Sequence, residues 1–234
     1  MENQINQSVL DAAEAALRKI WPDAAPRCGL VLGSGWDEVV ADLSGETIDY
    51  ADIPGLGATG VLGHAGKLRR ASVDGMELFI FQGRRHWYEG VGWTPIILPA
   101  YLLHAFGADT LLLTNAAGGI SSALPPGTIM VIEDHINMLG SNPLIGPHNP
   151  RLGLRFPDQS AVYDKALRHQ LMNAGADAAG IYLATTGHSP LALIQAMMLG
   201  WEEVEAHDTH VKTPGAPPGR PEALRPAQEA SHGS

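Results

Sequence analysis

Cysteine is almost absent from this chain. Cys28 stands alone in 234 residues, so no disulfide can form within the chain. At the head of an apolar run it reads as a small core residue, and a reducing compartment suits it. An excess of basic residues is lacking too: 15 Lys and Arg face 25 Asp and Glu, for a formal net charge of −10. That argues against a general binder of nucleic acid or anionic membranes, while leaving room for a local basic pocket. No apolar run is long enough to span a bilayer, because TPIILPAYLLHAFGA is short and carries Pro99 and His104. The N-terminal MENQINQSVL lacks the basic-then-apolar order of a secretion signal. A soluble, cytoplasmic protein without nucleic-acid or membrane partners is expected. Regularly spaced metal ligands are also missing: His188, His207, His210 and His232 fall irregularly, so no metal site is expected.

What is present is an alternation of short apolar runs and helical patterns. Residues 8–20 place Val9, Ala13, Ala16, Leu17 and Ile20 at helical spacing before Pro22. CGLVLGSGWDEVV reads as a buried strand, a glycine turn and a helix start. KLRRASVDGMELFIFQG reads as a hairpin about Asp74-Gly75. TPIILPAYLLHAF reads as a helix that Pro99 kinks or begins. DTLLLTNAAGG, PGTIMVIEDHIN and GIYLATTG read as strands, and DKALRHQLMNAG as a helix with a glycine stop. Such alternation predicts an α/β fold with a central mixed, mostly parallel β-sheet flanked by helices.

Three loops follow apolar strands and carry chemistry. Gly33-Ser34-Gly35 lets backbone N–H groups approach a ligand, offers a hydroxyl and opens a helix start, but lacks the Gly-Lys-Ser/Thr ending of a nucleotide P-loop. By itself it is equally a plain tight turn. FQGRRHWYEG, residues 81–90, delivers Arg84 as a planar fork of donors and His86 as a donor or proton shuttle. Glu89 there can orient His86 or pair with an arginine, and Trp87 and Tyr88 offer flat surfaces for a sugar or base. The bland reading is a charged turn. TNAAGG, residues 114–119, makes room with small side chains and presents N–H groups. Ligands of α/β sheets collect beyond the carboxyl ends of strands, where these loops can converge. GHAGKL adds His64 between glycines.

Taken together, LVLGSG, GHAGKL, FQGRRHWYEG, LLLTNAAGGI, PGTIMVIEDHINMLGSNPLIGP and GIYLATTG resemble the trimeric class of purine nucleoside phosphorylases over roughly residues 5–187. The resemblance implies attack of inorganic phosphate on the anomeric carbon of a purine nucleoside, giving free base and ribose 1-phosphate without a metal or organic cofactor. It implies phosphate contacts from Ser34, His64, Arg84, His86 and the backbone at Ala116. Glu89 matches the acidic partner of His86, and these two form the catalytic pair. Tyr88 lies by the ribose, and Ala116, Ala117 and Gly118 line the base pocket. Phe156, in RFPD, matches an aromatic lent to a neighbour's sugar site in a homotrimer. Arg85 receives no role.

After Gly187 the chain departs from the family. Family members continue with a segment whose glutamate holds the purine, then a Met-Ser/Thr motif whose hydroxyl completes the phosphate site, and an asparagine that stabilises the base. HSPLALIQ and the residues after it contain none of these. The expected organisation is a phosphorylase-like domain over 1–187, a helix of non-family sequence over 188–206, and a proline-, glycine- and charge-rich disordered tail over 207–234. The C-terminal part of the sheet is expected to be missing. Two functions remain open at this point: an impaired phosphorylase, or a truncated, non-catalytic relative that binds phosphate or assembles with full-length subunits. A nucleosidase or methylthioadenosine phosphorylase is a third choice.

Overall fold

The computed structural model describes residues 4–58, 65–184 and 202–208, the last stretch by its backbone. Helix α1 (Gln7–Ile20) is started by Asn6, whose side-chain oxygen accepts hydrogen bonds from the N–H groups of Ser8 and Val9 at 3.1 and 3.4 Å. Its inward stripe is Leu10, Ala13 and Leu17. The expected stripe shares Ala13 and Leu17 with it but ran on through Val9, Ala16 and Ile20 and omitted Leu10. Trp21 follows the helix into the core, while Ile20 stays exposed.

Among the described residues eight strands make one sheet: β1 (Cys28–Leu32), β2 (Gly45–Asp49), β3 (Lys67–Val73), β4 (Met76–Gln82), β5 (Thr110–Ala116), β6 (Ile129–Asn137), β7 (Ala178–Ala184) and β8 (Glu202–Asp208). Their order is β2-β3-β4-β1-β5-β8-β6-β7. β4, β1, β5 and β8 run parallel, and β6 with β7 runs the other way. The mixed, mostly parallel sheet is therefore as the sequence suggests. The β3–β4 hairpin turns at Asp74 (φ 51°) and Gly75 (φ 80°), the two left-handed positions a type I′ turn requires.

Among the described residues two further helices flank this sheet with α1. Helix α2 (Thr94–Ala105) is buried over most of its length, which is why its sequence reads as apolar all round. Pro95 lies in its first turn and Pro99 inside it. Pro99 has no N–H to donate to the Pro95 carbonyl one turn earlier, so the helix forgoes one backbone bond there. Helix α3 (Lys165–Ala174) is capped by the Asp164 side chain and ends at Gly175 in the left-handed region. Trp21, Phe79 and Phe106 pack ring against ring between α1, β4 and the end of α2, with centroids 5.5 and 5.3 Å apart. Among the described residues no helix is long and apolar enough to cross a membrane.

The C-terminal region corrects two expectations. Residues 202–206, read as the end of a helix, and 207–208, read as the start of a tail, form β8 instead. β8 also occupies the place in the sheet that was expected to stand vacant. It pairs with β5 from Thr110↔Glu202 to Ala116↔Asp208 and with β6 at Ile129–Val131. Pairing on both sides satisfies backbone groups of two neighbouring strands, and that outweighs a weak local helix preference. Residues 188–201 and 209–234 lie outside the described residues.

Candidate active site

β4, β1 and β5 are neighbours and parallel, so the loops after them leave the sheet side by side at one edge. These are the three loops singled out from the sequence. Gly33 sits where β1 closes on β5: its N–H donates to Thr114 Oγ1 at 3.0 Å. A Cβ at this position would lie 2.3 Å from the Thr114 carbonyl oxygen and 2.7 Å from the Asn115 Cα. Both obstacles are backbone. Gly33→Ala is therefore expected to destabilise the fold by about 1–3 kcal/mol, read as a lower urea midpoint at unchanged slope.

The helix expected after Ser34 is one turn of 3-10 helix, Asp37–Val40. So short a turn carries little dipole, and the case for an anion here rests on the side chains and N–H groups of the loops. Arg84 is 6% exposed and reaches from the end of β4 across β1, donating from Nη1 to the Thr114 carbonyl at 2.6 Å. Thr114 thus ties the three strand ends together, accepting from Gly33 through its hydroxyl and from Arg84 through its carbonyl. Anchoring one arm of the guanidinium fixes the plane of the rest, as bidentate recognition of an oxyanion requires.

His86 and Glu89 bracket one turn of 3-10 helix, Trp87–Glu89, as a reciprocal cap. Glu89 Oε1 accepts the His86 backbone N–H at 2.6 Å and lies 3.3 Å from His86 Nδ1. Its other oxygen accepts from Arg85 Nε at 2.8 Å. Burial pushes the Glu89 carboxyl up, but the His86 N–H and the Arg85 guanidinium outweigh it and hold the group below the usual glutamate range. A carboxylate 3.3 Å from Nδ1 orients the imidazole and favours the tautomer with the ring proton on that nitrogen. Tyr88 stacks on His86 with centroids 4.9 Å apart and is 52% exposed. Burial and the Glu89 charge push its phenol up while Arg84 opposes them. Trp87, expected to offer a flat surface, stacks on Trp93 at 4.5 Å and serves the packing of the loop.

Ala116 ends β5, half-buried. Ala117 and Gly118 line a cavity of about 620 Å³ whose other walls include Ile120, Leu124, Met130 and β7 from Ala178 to Leu183. Ser34, Arg84 and His86 are not among its walls. Phe156 is 86% exposed and also lines none of it. His64 lies outside the described residues. Two contributors escaped the sequence reading. Arg85 stands four residues before Glu89, and that opposite-charge spacing was a usable signal. Thr114 opens its loop with no role evident from the sequence, and its hydroxyl after a run of leucines was the only clue.

The phosphorylase superfamily matches residues 27–189. This chain belongs to that superfamily, in its purine nucleoside phosphorylase family. Purine nucleoside phosphorylase 1 of Geobacillus stearothermophilus is 37% identical over 210 residues, covering 86% of this chain and 76% of that protein. Purine nucleoside phosphorylase 1 of Bacillus subtilis is 37% identical over 186 residues, covering 77% and 68%. Among solved structures, isoform 2 of purine nucleoside phosphorylase from Schistosoma mansoni, in complex with cytosine and ribose-1-phosphate, is similar to it. That match has a TM-score of 0.78 and 28% identity, and covers 88% of this chain and 84% of that one.

Proposed function

We propose that this chain binds inorganic phosphate at the ends of β1, β4 and β5 and performs phosphorolysis of purine nucleosides at a reduced rate. The observation that carries the reading is the tie between Gly33, Arg84 and Thr114 beside the His86–Glu89 pair. Arg84, His86, Ser34 and the Ala116 N–H hold the anion against the sugar, and His64 is assigned there by resemblance. A phosphate oxygen forms a bond to the anomeric carbon as the glycosidic C–N bond breaks, and the purine leaves with the electron pair and takes up a proton. The sugar is cationic in the transition state, so positioning an anion beside it is the main catalytic service. Tyr88 meets the ribose, and Ala116, Ala117 and Gly118 face the base. No metal or organic cofactor takes part. The cytoplasm is the proposed compartment.

The reduced rate follows from the departure after Gly187. A chain that binds phosphate without turnover is the alternative, and the same departure favours it. The test is release of hypoxanthine from inosine, with and without phosphate. Phosphate-dependent release supports the reading, release without phosphate points to a nucleosidase, and no release with intact phosphate binding establishes the alternative.

Phe156 is proposed to serve the sugar site of a neighbouring copy in a homotrimer, consistent with its exposure. Phe156→Ala is expected to weaken inosine about tenfold while leaving phosphate affinity unchanged, since a lost aromatic contact is worth roughly 0.5–1.5 kcal/mol beyond its buried area. Light scattering that finds a monomer at assay concentrations removes the basis for this assignment.

A further inference from the structure

Arg85 has no assigned contact with phosphate or nucleoside, yet its side chain is largely buried. Its side chain is 13% exposed and that of Glu89 10%. The guanidinium makes two bonds in different directions. Nε donates to Glu89 Oε2 at 2.8 Å, and Nη1 donates to the Leu56 carbonyl at 3.1 Å. The first bond occupies the carboxylate oxygen that His86 does not use. The second fastens the loop after β4 to the turn at residues 53–56, whose Leu56 is buried in the main core. Glu89 is thereby gripped on one side by His86 and on the other by a cation that is itself anchored to the core.

We infer that Arg85 is a positioning residue for the anion site. It clamps the Glu89 carboxylate so that Glu89 stays ionised and holds the His86 imidazole in one orientation. The inference rests on the phosphate-binding reading of His86. Among the described residues, the charged and titratable groups that face Glu89 are Arg85, His86 and Tyr88, all from its own loop. The segment packed against Arg85, Ile53–Gly57, carries no ionisable side chain and presents a carbonyl dipole. Arg85 acts through Glu89, so its effect must disappear when Glu89 cannot ionise. An arginine that merely attracted phosphate, or merely stabilised the loop, would show no such dependence.

The experiment is a double-mutant cycle of Arg85→Met and Glu89→Gln, with phosphate binding followed by calorimetry between pH 4 and 8. Met keeps much of the apolar stem and removes both donors. In Arg85→Met, phosphate affinity at neutral pH is expected to fall roughly 10-fold, and its loss on acidification to begin at higher pH, because Glu89 then protonates more readily. In the Glu89→Gln background the same change is expected to do nothing further. Equal losses in both backgrounds, or an unmoved acid limb, would overturn the inference. A second readout needs neither turnover nor phosphate: the ¹³C titration of the Glu89 carboxyl in the full chain. It is expected to move up in Arg85→Met and less in Arg85→Lys, which keeps the charge. Glu89 titrations that coincide in all three proteins would refute the clamp whatever ligand His86 binds, whereas shifted titrations without any phosphate binding would leave the clamp standing and remove the functional reading.

Discussion

Replacing residues 188–234 with a segment that carries the family's base-holding glutamate, asparagine and Met-Ser/Thr hydroxyl is expected to raise inosine phosphorolysis by about 10²–10³-fold or more. Charge builds on the purine as the glycosidic bond breaks, and a donor aimed at that charge typically contributes about this factor. Groups that act as a unit do not multiply their separate effects, so the gain need not be the product of three such factors. The graft must also supply a strand. β8 lies between β5 and β6 and pairs with both, so a replacement without a strand there would leave two open edges in the middle of the sheet. Comparable turnover by the two proteins at equal phosphate saturation would show that the present C-terminal sequence already serves the base.

Arg84→Ala is expected to weaken inorganic phosphate by roughly 10–150-fold, the equivalent of about 1.5–3 kcal/mol for a hydrogen bond to a charged group. The substitution has a second consequence. Arg84 also donates to the Thr114 carbonyl, so its removal loosens the tie across the end of β1. Arg84→Lys separates the two effects. Lysine keeps the charge but cannot hold the carbonyl and an oxyanion with one planar fork, so it is expected to recover only part of the affinity. Calorimetric titration with phosphate of all three proteins checks both statements, and equal affinities would remove Arg84 from the site.

The parts of the fold that the sequence made legible are those where local chemistry and tertiary demand agree. Asp74-Gly75 supplies the two left-handed residues of the hairpin, and Asp164 with Gly175 supplies both caps of α3. The strands feeding the site are continuous apolar runs because both of their faces are covered. Disagreement appears where tertiary context decides. β2, GETID, buries only Ile48 and so carries almost no strand signal. EEVEA, residues 202–206, has helical composition but lies where a strand is needed. In the candidate site, Arg84, His86 and Glu89 were legible because polar side chains at the end of an apolar strand demand a reason. Thr114 was not, since its role depends on Arg84 crossing an intervening strand, and no linear pattern encodes that crossing.

The position of β8 also sets an order of events for the newly made chain. β5 is complete at residue 116 and β6 at 137, but the strand that joins them ends at 208. On a ribosome the block β2-β3-β4-β1-β5, with its candidate anion-binding edge, and the pair β6-β7 can each assemble while the seam between them still awaits its last strand. Until then two sheet edges face solvent or a chaperone. The final closure joins partners 75 to 92 residues apart in sequence, so it depends on long-range encounter and is slow by nature. Yield in cells should therefore respond to temperature and chaperone supply more than the finished fold's cohesion alone would suggest.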